Sequence, residues 1–118
     1  MKVLVCGSRF WLNQRPIQDR LSQLPPGTTI IHGACKGADN IAGFVAEILG
    51  FPVRPYPAQW EKYGNGAGHI RNQHMLDREH TPEEPIDLVI AFDMGGSGTN
   101  DMRERSTKAG IAVETITG

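Results

Sequence analysis

Five short apolar runs alternate along the chain with stretches whose apolar residues recur at helical spacing. The runs are 2–6 (KVLVC), 28–32, 51–56, 86–92 and 111–116. Each is too short for a buried helix and predicts a strand. The run from Ile86 to Phe92 is apolar apart from Asp87, the pattern of a strand covered on both faces. Between the first two runs, Ile17, Leu21 and Leu24 fall at i, i+4 and i+7, with Pro16 near the first turn and Pro25, Pro26 and Gly27 as a stop, which predicts a helix over 14–24. Ala38, Ile41, Ala42, Val45, Ile48 and Leu49 share one helical face ahead of Gly50, the expected C-cap. Further helices are predicted from near Gly68 through Arg78 and from Asn100 to Ala109, with a loop, AQWEKYGNGAG, over 58–68. Pro52, Pro55 and Pro57 break up the third run, which suits only an edge strand.

Strands alternating with helices imply an α/β domain with a parallel sheet and helices on both faces, because right-handed crossovers are nearly obligatory. All the strand-to-helix turns then share one rim of the sheet, where ligands of open α/β sheets bind. Those turns are Gly7-Ser8-Arg9, HGACKGAD at 32–39, the AQWEKYG loop and GGSGT at 95–99. In the last, Gly95, Gly96, Ser97, Gly98 and Thr99 stand between a buried strand and a helix start. Glycines let backbone N–H groups approach an anion, and the helix N-terminus supplies unpaired donors. Phosphate or ribose is the expected guest. No Lys-Ser/Thr pair follows the last glycine as in a Walker A loop, and Asp101 stands where GxGxxG would need its third glycine, so neither common nucleotide fingerprint is present.

At 118 residues the chain reads as one domain, 1–118, with no room for a separate substrate domain. Its formal net charge of −1, with Lys and Arg scattered, disfavours long nucleic acid as a partner. No stretch is long and apolar enough for a membrane span, and the N-terminus MKVLVCGSR has neither h-region nor cleavage site, so a cytoplasmic protein is expected. Cys6 and Cys35 form no zinc or CxxC spacing and read as reduced thiols. His69 and His74, five apart, make a poor metal pair, and neither a metal nor a cofactor is expected.

The ordered set GSRFW at 7–11, HGACKGAD at 32–39, PAQWEKYG at 57–64, AGHIRNQHM at 67–75 and GGSGT at 95–99 resembles the SLOG superfamily, in its YspA/YpsA-like branch. The resemblance implies a Rossmann-like three-layer domain with strand order 3-2-1-4-5 that binds nucleotides or nucleotide-derived sugars. His69, where the branch usually has Pro, makes HIRNQHM more similar to the HxRKxxM segment of the lonely-guy phosphoribohydrolases. In those enzymes PGGxGTxxE supplies a phosphate loop and a catalytic Glu. Carried across, Arg71 matches the family's arginine, Gly95, Gly96, Gly98 and Thr99 match the loop, and Met102 stands in place of the Glu. The lonely-guy relatives also imply a possible homodimer.

The candidate ligand-binding residues are therefore Gly7, Ser8, Arg9, Gly33, Lys36, Asp39, Arg71, Asn72, Gly95, Gly96, Ser97, Gly98 and Thr99, with Arg71 and Asp101 as candidate catalytic residues. Arg71 offers a donor fork to a phosphate or ribose, or a surface ion pair. Asp39 suits a ribose hydroxyl or its own loop, and Asp101 is comfortable in a first helical turn without any chemistry. Trp11, Trp60 and Tyr63 could stack on a base or pack beneath the loops. The expected function is binding of an AMP- or ADP-ribose-type nucleotide on the rim, as a sensor or processing module. The alternative is N-glycosidic hydrolysis of a nucleoside 5′-monophosphate, which the absent Glu disfavours. A DNA-binding role like that of DprA-like relatives is argued against by the charge.

Overall fold

The computed structural model describes residues 1–118. Strands β1 (Lys2–Gly7), β2 (Thr29–His32), β3 (Val53–Pro55), β4 (Leu88–Asp93) and β5 (Val113–Thr117) form an all-parallel sheet in the order β3-β2-β1-β4-β5. Between them run α1 (Gln14–Leu21), α2 (Ala38–Ile48), the single turn α3 (Trp60–Tyr63), α4 (Ala67–Glu79) and α5 (Ser97–Lys108). This is the Rossmann-like arrangement expected, with the proline-broken β3 on the edge.

The pleat explains why the central strands read as continuous apolar runs. Successive side chains point to opposite faces, and both faces are covered. Val3, Val5, Ile30, Ile90 and Phe92 enter one core with α1 and α2, while Leu4, Cys6, Ile31, Val89 and Ala91 enter a second with Met75, Leu76 and Met102 of α4 and α5. Trp11 belongs to the first core. It is 2% exposed, meets Phe92 edge-to-face at 5.4 Å and donates its indole N–H to the Asn13 carbonyl at 2.7 Å. It packs beneath the loops and presents no face to a ligand.

The structure corrects several boundaries. Helix α1 stops at Leu21, three residues early, because the chain tightens into short-range bonds, Gln23 N–H to the Arg20 carbonyl and Leu24 N–H to that of Leu21, before Pro25. The loop over 58–68 contains α3 and a 3₁₀ turn, Gly64–Gly66, and α4 extends at both ends to Ala67 and Glu79. Glu79 is 4% exposed, and its carboxylate takes hydrogen bonds from Tyr56 and Arg54 and an ion pair from Lys2 at 3.1 Å. Burial alone would raise its pKa, but those donors hold it below the ordinary range. Helix α5 begins at Ser97 and not Asn100, so most of the GGSGT motif is its first turn.

Two glycines show opposite requirements. Gly37 has φ +86° and ψ −133°, and a Cβ there would lie 2.4 Å from the Ser8 carbonyl oxygen. A Cβ on Gly98 would meet nothing within 4 Å. Gly37→Ala should therefore cost on the order of 3 kcal/mol, from backbone strain and the clash together. Gly98→Ala should be neutral within about 0.5 kcal/mol or mildly stabilising. Denaturant midpoints of the two variants check this; equal losses would contradict it.

Candidate functional site

Where β1 and β4 leave the sheet side by side, the chain turns away in opposite directions and a cleft opens at the rim. Ser8 holds its floor together. Its N–H donates to the Phe92 carbonyl at 2.9 Å, and its own carbonyl accepts from Trp11 N–H at 3.2 Å and from Ala38 N–H at 3.0 Å, which ties β4, the following loop and α2 to one residue. Its Oγ accepts from Phe10 N–H at 3.1 Å. Gly7 admits this approach: a Cβ there would lie 2.5 Å from the Phe92 carbonyl oxygen and 2.6 Å from Ala38 Cβ.

The loop after β4 is shaped by Asp93, whose carboxylate accepts from Gly95 N–H at 2.9 Å while Gly95 adopts φ +86°. Gly96 then caps α5 without any side-chain oxygen to offer. Asn100 is the first residue whose N–H finds a backbone carbonyl in this helix, that of Gly96 at 3.2 Å. The amides of Ser97, Gly98 and Thr99 have no protein acceptor, the ordinary condition of a helix start and the one that favours an anion there.

The cleft has a volume of about 370 Å³, within the range of small-molecule sites. Gly7, Ser8, Arg9, Asp39, Arg71, Asn72 and the whole loop from Gly95 to Thr99 line it. Four stretches far apart in sequence thus meet in one place. Three candidates do not line it. Gly33 lies behind Arg71, Lys36 is exposed on its own loop, and Asp101 is held outside. The Asp101 carboxylate accepts from Arg105 at 2.8 Å and from Asn72 at 3.0 Å. Burial opposes its charge, yet those bonds bring its pKa below the usual carboxylate range and keep it ionised. Met102, one residue on, is 1% exposed and does line the cleft.

Arg71 makes no ion pair. Its guanidinium donates to the Gly33 carbonyl, to Tyr56 O at 3.5 Å, to Asn72 Oδ1 at 3.0 Å and toward Cys35 Sγ at 3.5 Å, bracing α4 against the ends of β2 and β3. Asn72, 4% exposed, carries the brace on to α5 through the Gly98 carbonyl at 3.4 Å. Asp39, 5% exposed, accepts from Gly33 N–H at 3.0 Å, so it secures its loop while facing the cleft. Burial pushes its pKa up to about 6, against the nearby Arg71 and the amides of Cys35 and Gly33. His32 moves the other way, down to about 4, through burial and the Arg71 charge. Its Nδ1 accepts from Ala34 N–H at 2.9 Å, and Gly43 makes room for the ring, since a Cβ there would lie 2.7 Å from Nε2.

Sequence reasoning passed over Cys6, Phe10, Cys35, Asn65, His69 and Met94, all of which line the cleft. Their proximity to glycine-rich motifs was the available signal. The Cys6 thiol is buried and its pKa is strongly raised, so it remains protonated. No group of three or more His, Cys, Asp or Glu side chains has a metal-binding arrangement. No helix is long and apolar enough to cross a membrane. A second, more open groove of about 570 Å³ lies between β3 and α4, on the other side of Arg71. It is lined by Arg54, Arg71 and Arg78 and by Ala67 at the start of α4, but it has no glycine loop.

The two shifted groups make opposite contributions to stability. With Asp39 raised from 3.8 to about 6, the folded state binds the extra proton, and stability falls as pH rises through that interval. With His32 lowered from 6.5 to about 4, the unfolded state binds the extra proton, and stability rises with pH. Asp39→Asn, which keeps an acceptor for Gly33 N–H, should remove the first effect alone. Between pH 4.5 and pH 6 the variant should gain roughly 1.5 kcal/mol relative to the parent. Urea denaturation at the two pH values measures the difference; parallel profiles would contradict the shift.

Comparison with known proteins agrees with this architecture. Residues 1–63 match the profile of the YspA, cpYpsA-related SLOG family, a little over half of the chain. The chain is also similar to the Gene 61 protein of Mycobacterium phage D29, with 36% identity over 122 aligned positions that cover 95% of this chain and 93% of that protein. The Rossmann-like chain with its glycine-lined rim belongs to the YspA, cpYpsA-related SLOG family.

Proposed function

We propose that the rim cleft binds a nucleotide or nucleotide-derived sugar, of AMP or ADP-ribose type, with a phosphate at the start of α5. The observation that carries this reading is the convergence on one cavity of three unpaired α5 amides, the hydroxyl residues Ser8 and Thr99, and the cations Arg9 and Arg71. A phosphate has the charge and acceptor geometry for such donors, and a ribose has hydroxyls for Asp39. Membership of a SLOG family supports a nucleotide-related role of this kind. The chain would act as a sensor or a processing module built on one small scaffold.

Hydrolysis of the N-glycosidic bond is the weaker reading. It needs a carboxylate near the sugar as positive charge develops, and the residue in the lonely-guy glutamate's place is the apolar Met102. The neighbouring Asp101 is engaged with Arg105 and Asn72 outside the cleft. Asp39 is the one carboxylate in the cleft lining.

A thermal-shift screen of AMP, ADP-ribose and related nucleotides tests the proposal. At a hundredfold excess over the dissociation constant, binding should add about 2.7 kcal/mol of apparent stability, on the order of 10 °C in Tm. Gly98→Val should fold and lose the shift, because its side chain would enter the open space before the loop. No shift with any phosphate-bearing nucleotide at millimolar concentration would refute the reading. Turnover of AMP to free base and ribose 5-phosphate should fall well below the ordinary enzyme scale of about 1 per second. A trace rate that rises in Met102→Glu, with the AMP thermal shift retained, would show a pocket that lacks only its carboxylate. Fast turnover by the parent, lost in Arg71→Ala, would instead establish the hydrolase.

A further inference from the structure

Seven large apolar side chains are exposed on this protein, and three of them, Phe10, Trp60 and Met94, line the rim cleft. Single exposed apolar residues are ordinary, but three around one polar-floored cleft form a common apolar margin. They come from separate parts of the chain. Phe10 (68% exposed) and Met94 (53%) stand on the loops that leave the adjacent strands β1 and β4, whereas Trp60 (49%) opens the single-turn helix α3 on the approach to α4. Local sequence cannot account for their meeting.

Trp60 is held without being covered. Its Cη2 would lie 3.6 Å from a Cβ on Gly68, so the edge of the indole approaches the first turn of α4 where no side chain stands. A Cβ on Gly68 would also lie 3.8 Å from Arg71 Nη2, so the ring and the guanidinium of the cleft both approach this bare position. The result is a site with two kinds of wall. The floor offers amides, hydroxyls and guanidinium groups, and the margin offers an aromatic face, a second aromatic ring and a polarisable thioether. A free phosphate or a sugar phosphate would use only the floor.

We propose that this margin is a stacking clamp for the planar base of the bound nucleotide, with Trp60 as its principal face and Phe10 and Met94 as the other wall. The clamp rests on the nucleotide-binding reading and narrows it to ligands that retain their base. It favours a purine over a pyrimidine, because two fused rings overlap an indole more fully than one. Stacking also explains why these side chains remain exposed: the surface they bury is supplied by the ligand. Met102 and Asp39, deeper in the cleft, lie below the clamp and take no part in it.

Calorimetric titration with AMP, CMP and ribose 5-phosphate distinguishes the clamp from the phosphate site. The intact protein should bind AMP tighter than ribose 5-phosphate by on the order of 5- to 150-fold, the usual worth of one stacked base, with CMP between them. Trp60→Ala should bring AMP to within about twofold of ribose 5-phosphate, and Trp60→Phe should restore most of the preference. Because Trp11 is buried against Phe92, AMP should quench tryptophan emission in the parent and leave that of Trp60→Phe unchanged. Equal binding of AMP and ribose 5-phosphate by the parent would overturn the clamp and leave the phosphate reading standing. AMP affinity unmoved by Trp60→Ala would overturn it as well. Failure of all three compounds to bind would overturn both.

Discussion

The end of β1 is packed too closely for side chains at Gly7 and Gly37, and the rim depends on it. Gly7 is packed so closely against the Phe92 carbonyl and Ala38 that any side chain would collide, and Gly37 is packed in the same way against Ser8 and Arg9. These approaches let one residue, Ser8, satisfy hydrogen bonds to β4, to its own loop and to the start of α2. The sheet changes its direction of winding here, since β1 lies between β2 and β4 and the helices after β1 and β4 pack on opposite faces. A crevice is the geometric consequence. The glycines keep it open at the bottom, and the loop after β4 lines its far side.

Arg71 is the second organising contact. A guanidinium near a candidate ligand site invites a role in binding, yet most of its donors already serve backbone carbonyls and Asn72. Its charge nevertheless acts over the whole cleft, opposing the upward shift of Asp39 and adding to the downward shift of His32. One side chain therefore braces α4 against the sheet and modulates two shifts that burial dominates.

The fold was largely legible because its signals are local and repeated. Apolar runs covered on both faces, proline on the edge strand and glycine after α2 and α5 each have one reading, and together they imply a doubly wound parallel sheet. The rim loops were legible for the same reason, as glycine clusters at strand ends. The missing parts depend on contacts between distant residues. That Asp101 turns to Arg105 and Asn72 while Met102 faces the cleft follows from the phase of α5, which starts three residues before its expected position. Phe10, Met94 and Trp60 stand in or beside the predicted rim loops, but that they share one margin depends on strand order and not on their neighbours in sequence. Glu79, buried with Lys2, Arg54 and Tyr56, was invisible as a single acidic residue near a helix end.

In the proposed complex the start of α5 and the end of β1 form the ligand's phosphate and sugar site. Amide chemical-shift mapping during titration of isotope-labelled protein with AMP tests it residue by residue. The largest changes should fall at Ser97, Gly98 and Thr99, with further changes at Ser8, Arg9 and Asp39. Changes confined to Arg54, His74 and Arg78, in the groove between β3 and α4, would contradict it, as would a spectrum that does not move at all.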